Sequence, residues 1–139
     1  MGTARPIILR PAEIPARERG GGVKSIPIVT RLTGATTFIN GLTIFAPDAG
    51  VQLHFHNCDE SVMLLEGHAI AEIDGAEYTV QPGDVSFIPR GIHHRFRNAS
   101  ESEAMTIMWT YGSIHADRTI VSTGENHAID DEHGTVFIV

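Results

Sequence analysis

The chain has 139 residues, of which 42% are hydrophobic and 19% charged, which fits one folded domain with a core and excludes a disordered class. The single cysteine, Cys58, excludes an intrachain disulfide and a four-thiolate zinc site, and it suits a reducing compartment. The formal net charge of −7 argues against a nucleic-acid partner, because Arg90, Arg95 and Arg97 form the one basic cluster.

No apolar stretch approaches the roughly 18 to 20 residues of a bilayer span. The opening MGTARPIILRP lacks the apolar run of a secretory signal, so a cytoplasmic location without a membrane partner is expected. Residues 1–25, with three prolines and the run Arg19-Gly20-Gly21-Gly22, read as an N-terminal arm, and a single barrel domain is expected over 26–139.

From Ile26 onward, short runs rich in Val, Ile, Thr and Phe alternate with turn residues, which predicts strands at 26–32, 36–46, 51–56, 61–66, 68–73, 76–81, 85–88, 93–98 and 104–111. Asp74-Gly75 between two alternating runs predicts a tight hairpin, because both central residues must reach positive φ. Pro82-Gly83-Asp84 and Pro89-Arg90-Gly91 mark further turns. Residues 124–134 are polar and acidic and read as a loop before a last strand, Val136 to Val139. No helical periodicity competes, so the fold class is all-β.

In Val51-Gln52-Leu53-His54-Phe55-His56, strand alternation puts Gln52, His54 and His56 on one face and Val51, Leu53 and Phe55 on the other. Two imidazoles about 7 Å apart at Cα can reach one ion. A corner at Asn57-Cys58-Asp59 would bring Glu60 to the same shell, and a carboxylate with imidazoles suits a first-row divalent metal. The fourth ligand must come from another strand. The run after Gly91 supplies His94 on a face shared with Phe96 and Asn98, while His93, Arg95 and Arg97 point the other way.

These residues resemble the cupin family. His54-x-His56, then Glu60 and Gly67, look like its first motif; Gly83, Pro89, Gly91, His94 and Asn98 reproduce the spacing of its second. The one departure lies upstream, where the first motif often begins with a glycine and this chain has Asp48. It bears on turn geometry and not on the ligands. The resemblance implies a double-stranded β-helix, the cupin jelly-roll barrel, with one divalent transition metal held by His54, His56, Glu60 and His94. Iron or manganese lead, and nickel, zinc and copper also accept this shell. Gly67, Gly83 and Gly91 fall where turns need positive φ, Pro89 fixes a bend, and Asn98 is expected to bond backbone.

Three imidazoles and one carboxylate leave about two positions of an octahedral shell open, which favours chemistry over a closed structural site. The expected function is therefore a metal-dependent enzyme acting on a small oxygenated organic molecule, with dioxygenase chemistry leading. Isomerases, decarboxylases and lyases share the shell, and a non-catalytic small-ligand-binding cupin is the reading from another class. Gln52, Phe96 and Met108 are the candidate pocket residues. Tyr78 and Tyr111 lie away from the ligands in sequence, so no general base is assigned. His93 reads as a rim histidine, Cys58 as an inert loop cysteine, and His115, His127 and His133 share no ligand spacing. Val51, Leu53 and Phe55 need cover opposite the ligand face, and small cupins commonly form dimers, so a homodimer is expected.

Overall fold

A computed structural model describes residues 4–130. Its strands are β1 Arg17–Gly20, β2 Val23–Val29, β3 Ile39–Phe45, β4 His54–Phe55, β5 Glu60–Glu66, β6 Ala69–Ile73, β7 Ala76–Val80, β8 Val85–Ile88, β9 His94–Asn98, β10 Met105–Tyr111, β11 Asp117–Ile120 and β12 Asn126–Ala128. They form two six-stranded antiparallel sheets, one ordered β1-β2-β3-β10-β5-β8 and the other β12-β11-β4-β9-β6-β7. This is an all-β jelly roll. Among the described residues no helix is long and apolar enough to cross a membrane.

The pattern that builds the core is the period of two. β3, INGLTIF, and β10, MTIMWTY, both bury every second residue, and their register sets Met105 against Phe45, Ile107 against Thr43, Trp109 against Gly41 and Tyr111 against Ile39. Gly41 is required there. A Cβ on it would lie 2.5 Å from the Trp109 ring and 2.6 Å from the Ile26 carbonyl oxygen, so the missing side chain makes room for the indole. The Trp109 Nε1–H then donates to Thr43 Oγ1 at 2.8 Å, satisfying a buried polar group.

Turn chemistry follows the residues. Asp74 and Gly75 both take positive φ, 52° and 83°, and join β6 to β7 with Ile73 opposite Ala76. Asp48 has φ 63°, so the aspartate occupies the left-handed conformation that a glycine would adopt freely. The Asn98 amide donates to the carbonyls of Phe45, Ala46 and Glu103 and accepts from the Ser100 amide, tying the end of β9 to β3 and to the turn before β10.

Several boundaries differ from the expectation. The barrel begins before 26: β1 and β2 form a hairpin inside the first sheet, and the glycine run of the expected arm is its turn, with Gly20, Gly21 and Gly22 all at positive φ. The strand expected at 26–32 stops at Val29, because the Thr30 side chain accepts the Leu32 amide and caps a 3₁₀ turn over Arg31–Thr33. The run 51–56 keeps only His54–Phe55 as strand. Residues 124–134 were expected as loop, yet β12 lies there, and β11 was not anticipated at all. β12 is an exposed edge strand without apolar alternation, so its sequence carries no strand signal. The last expected strand, Val136 to Val139, lies outside the described residues.

Candidate metal centre

The site forms where the two sheets face each other. His54 on β4 pairs directly with His94 on β9, so two imidazoles enter the cavity from neighbouring strands of the second sheet. His56 follows β4 by one residue, and Glu60 opens β5 in the first sheet. Glu60 is thus the group that reaches across from the first sheet. All four side chains are buried.

The imidazole rings lie 4.4 to 5.0 Å apart by centroid, and one ligand atom from each of His54, His56 and His94 falls within 4.8 Å of the others. Each Nδ1 is already committed to a backbone carbonyl: His54 to Gln52 at 2.6 Å, His56 to Asp117 at 2.8 Å and His94 to Ile92 at 2.8 Å. With Nδ1–H donating, each Nε2 is left to present its lone pair to the cavity. Glu60 Oε1 sits 3.0 Å from His94 Nε2 and 3.3 Å from His56 Nε2, and the latter atom is buried without a hydrogen-bond partner. A carboxylate oxygen facing imidazole lone pairs at these distances is repulsive unless a proton or a cation lies between them. The donor set therefore fits a divalent metal of the borderline class.

Electrostatics agree with that fit. Burial, the Arg118 guanidinium and the two neighbouring imidazoles together hold His54 well below its ordinary value of 6.5, so it is neutral and ready to ligate. Burial alone would raise Glu60, but positive charge shared with His56 and His94, as a proton or a cation, outweighs it and keeps the carboxyl well below its ordinary range. Cys58, buried beside this charge, is pushed up to about 11 by desolvation and then by Glu60, which makes it a protonated packing residue.

A cavity of about 40 Å³ adjoins the cluster, walled by Phe45, Val51, Phe96, Ile107, Trp109 and Tyr111. Of the expected pocket residues, only Phe96 lines it. Met108 alternates out of the barrel, because β10 turns its odd-numbered residues inward. Gln52 is exposed and lines a wider mouth of about 260 Å³ further out. Strand parity misplaced it, since the chain is not in strand before His54. For the same reason Val51 faces the cavity, and the outward apolar face that motivated a dimer does not exist as a unit. Phe55 does point away, stacked on His93 at 5.1 Å. Arg95 and Arg97 are outside, beside Glu72 and Glu77.

Three cavity-lining residues escaped the sequence. Tyr111 lies edge-on to His56 at 4.7 Å, although it is far from the motifs in sequence. Its pairing with Glu60 across β10 and β5 places it there. Arg118 and Arg19 also line the cavity; they stand on β11 and β1, strands that sequence reasoning did not find.

A jelly-roll barrel with a buried histidine and glutamate cluster in its cavity defines the cupin class. The chain belongs to the cupin family: the family model described as a cupin domain matches residues 41–111. It is similar to the polyketide synthase protein CurC of Streptomyces cyaneus, 33% identical over 110 residues that span 77% of this chain and 70% of the relative. Among solved structures it resembles the polyketide cyclase RemF of Streptomyces resistomycificus, with a TM-score of 0.72 and 18% identity over 93% of this chain and 91% of the other. It also resembles a sugar phosphate isomerase of the cupin superfamily from Silicibacter pomeroyi, with a TM-score of 0.70 and 21% identity over 94% and 98% of the two chains. The two structural likenesses establish a shared fold.

Proposed function

We propose that the protein is a metal-dependent enzyme acting on a small polyketide-type molecule rich in carbonyl and enol oxygens. The observation that carries the metal reading is the set of three anchored imidazoles gathered within 4.8 Å of one another, with the Nε2 atoms of His56 and His94 facing the Glu60 carboxylate. The substrate class is supported by the likeness to the polyketide synthase protein CurC. His54, His56, Glu60 and His94 would hold a divalent ion, which would supply Lewis-acid polarisation of a bound oxygen. The chain does the rest. Phe45, Val51, Phe96, Ile107 and Trp109 exclude water from the reacting end, which strengthens every polar contact inside. The narrow inner cavity admits a few atoms, so the oxygenated end of a substrate enters and its body stays in the mouth. Tyr111 presents the phenol of the cavity wall beside His56.

Cyclisation of a poly-β-ketone is the reaction that the likeness to a polyketide synthase protein favours. Dioxygenase chemistry is the second reading, favoured by the mixed shell with positions left open. Metal analysis followed by incubation with a poly-β-ketone chain tests both. Cyclised product without oxygen uptake supports the first reading, and metal-dependent oxygen uptake supports the second. Protein that takes up no metal and converts nothing overturns both and leaves small-ligand binding.

A further inference from the structure

The two sheets turn outward faces of different kinds to solvent. On the second sheet the outer rows set Glu72 against Arg95 and Glu77 near Arg97, an ion-paired surface suited to water. On the first sheet the outward positions of β3, β10, β5 and β8 carry a single charge, Glu66. One row across it runs Leu42, Met108, Met63 and Val85, and Phe87 follows two residues on at the β8 edge. Met63 is 37% exposed, Val85 56% and Phe87 67%. A contiguous apolar face of this kind marks a surface that a partner covers.

We propose that a second copy of this chain covers the face, so that the protein is a dimer packed through its first sheets. The charges select that occupant. The adjoining row runs Lys24, Ile44, Thr106 and Glu66 from β2 to β5, with its two charges at opposite ends. A two-fold axis lying along the strands, between β3 and β10, carries β2 of one copy over β5 of the other. Lys24 then meets the partner's Glu66, twice in the dimer, and Leu42 meets the partner's Met108. Aligned packing of two twisted sheets, about 30° apart, is the ordinary geometry for such faces. Because Lys24 and Glu66 cancel, the contact itself adds no repulsion, although each chain carries a net charge of −7. The margins agree with this axis. It brings Phe87 at the β8 edge toward the β1 edge of the other copy. There the end of β2 and the segment before β1 enclose an apolar groove of about 620 Å³, lined by Ile14, Pro27 and Ile28 among others. Five strands about 20 Å long at about 4.8 Å spacing give each copy roughly 500 Å² of plan face, so the pair reaches the roughly 1,000 Å² of a specific interface.

Sedimentation velocity on the full chain, at about 0.15 M salt and over about 1 to 100 μM protein, tests the idea. The wild type is expected to sediment as a dimer of the 15.1 kDa chain. Met63→Glu puts an unpaired charge into the apolar row and should sediment as a monomer with an unchanged circular dichroism spectrum. Lys24→Glu and Glu66→Lys should each weaken association several-fold, and the double variant should restore it. Within one chain the two positions stand three strand spacings apart, about 14 Å, beyond the Debye length of about 8 Å, so restoration reports contact between copies. Should Met63→Glu fail to fold, the charge reversals, which lie on the surface, carry the test. A wild type that stays monomeric over the whole range would overturn the proposal and leave the face to a different partner. A dimer untouched by folded Met63→Glu, or a double reversal as weak as the single ones, would overturn it too.

Discussion

His56→Ala removes one imidazole from the cluster, and its consequence can be worked through before the experiment. In the wild type His56 donates from Nδ1 to the Asp117 carbonyl and turns a buried Nε2 toward Glu60. Alanine leaves that carbonyl without its donor, a cost of about 1 kcal/mol that appears with or without metal. The metal-dependent part is separate. An ion present at 100 times its Kd stabilises the fold by about 2.7 kcal/mol. At about 4 °C per kcal/mol for a domain of this size, the loaded wild type should melt roughly 11 °C above the chelated form. If losing the ligand weakens binding about 100-fold, the same metal concentration gives only about 0.4 kcal/mol, or about 2 °C. Scanning calorimetry with and without chelator, beside metal analysis by mass spectrometry, measures both quantities. A variant with wild-type metal content and an undiminished metal-induced shift would refute the assignment of His56.

The remaining predictions concern the supporting structure. Gly67 has φ 89°, and a Cβ there would lie 2.7 Å from the Ala104 carbonyl oxygen, whereas Gly91 has φ 80° and open space around it. Gly67→Ala should therefore cost about 3 kcal/mol and Gly91→Ala about 1 to 2, read as urea midpoints; equal losses would contradict the packing. Cys58, pushed up to about 11, has roughly one thiolate in a thousand at pH 8, so Ellman's reagent should label the folded protein far more slowly than the unfolded chain. Rapid labelling of the native form would show that the thiol is neither buried nor protonated. In chelated protein, His54 and Glu60 both have folded values below their ordinary 6.5 and 4.5. The unfolded chain then binds more protons across each window, so stability is fully present above pH 6.5 and falls as acid is added. A urea midpoint that stayed level or rose between pH 7 and pH 4.5 would refute this.

What the sequence revealed was whatever local spacing encodes. Nine motif residues from His54 to Asn98 carry turn and ligand roles in short windows, and strand alternation separates His94 from His93 correctly. The same parity rule failed at Gln52, Val51 and Met108. Before His54 the chain leaves strand geometry, so counting by twos loses its phase. On β10 the phase itself was the question, and the indole over Gly41, which a single strand cannot disclose, is what fixes Trp109 inward and Met108 outward. Tyr111 and Arg118 reach the site through pairing with distant strands, at Glu60 and beside His54, and nothing near them in sequence announces it.

The division of the ligands between the sheets links function to stability. His54, His56 and His94 belong to the second sheet and its continuation past β4, whereas Glu60 opens β5 of the first. An ion bound to all four would join the two sheets. Without the ion, the carboxylate must find protons on the imidazoles of His56 and His94, whose Nδ1 atoms already donate to Asp117 and Ile92. Metal uptake, acid stability and the spacing of the sheets are therefore one coupled property, and Glu60 is the residue through which all three are joined.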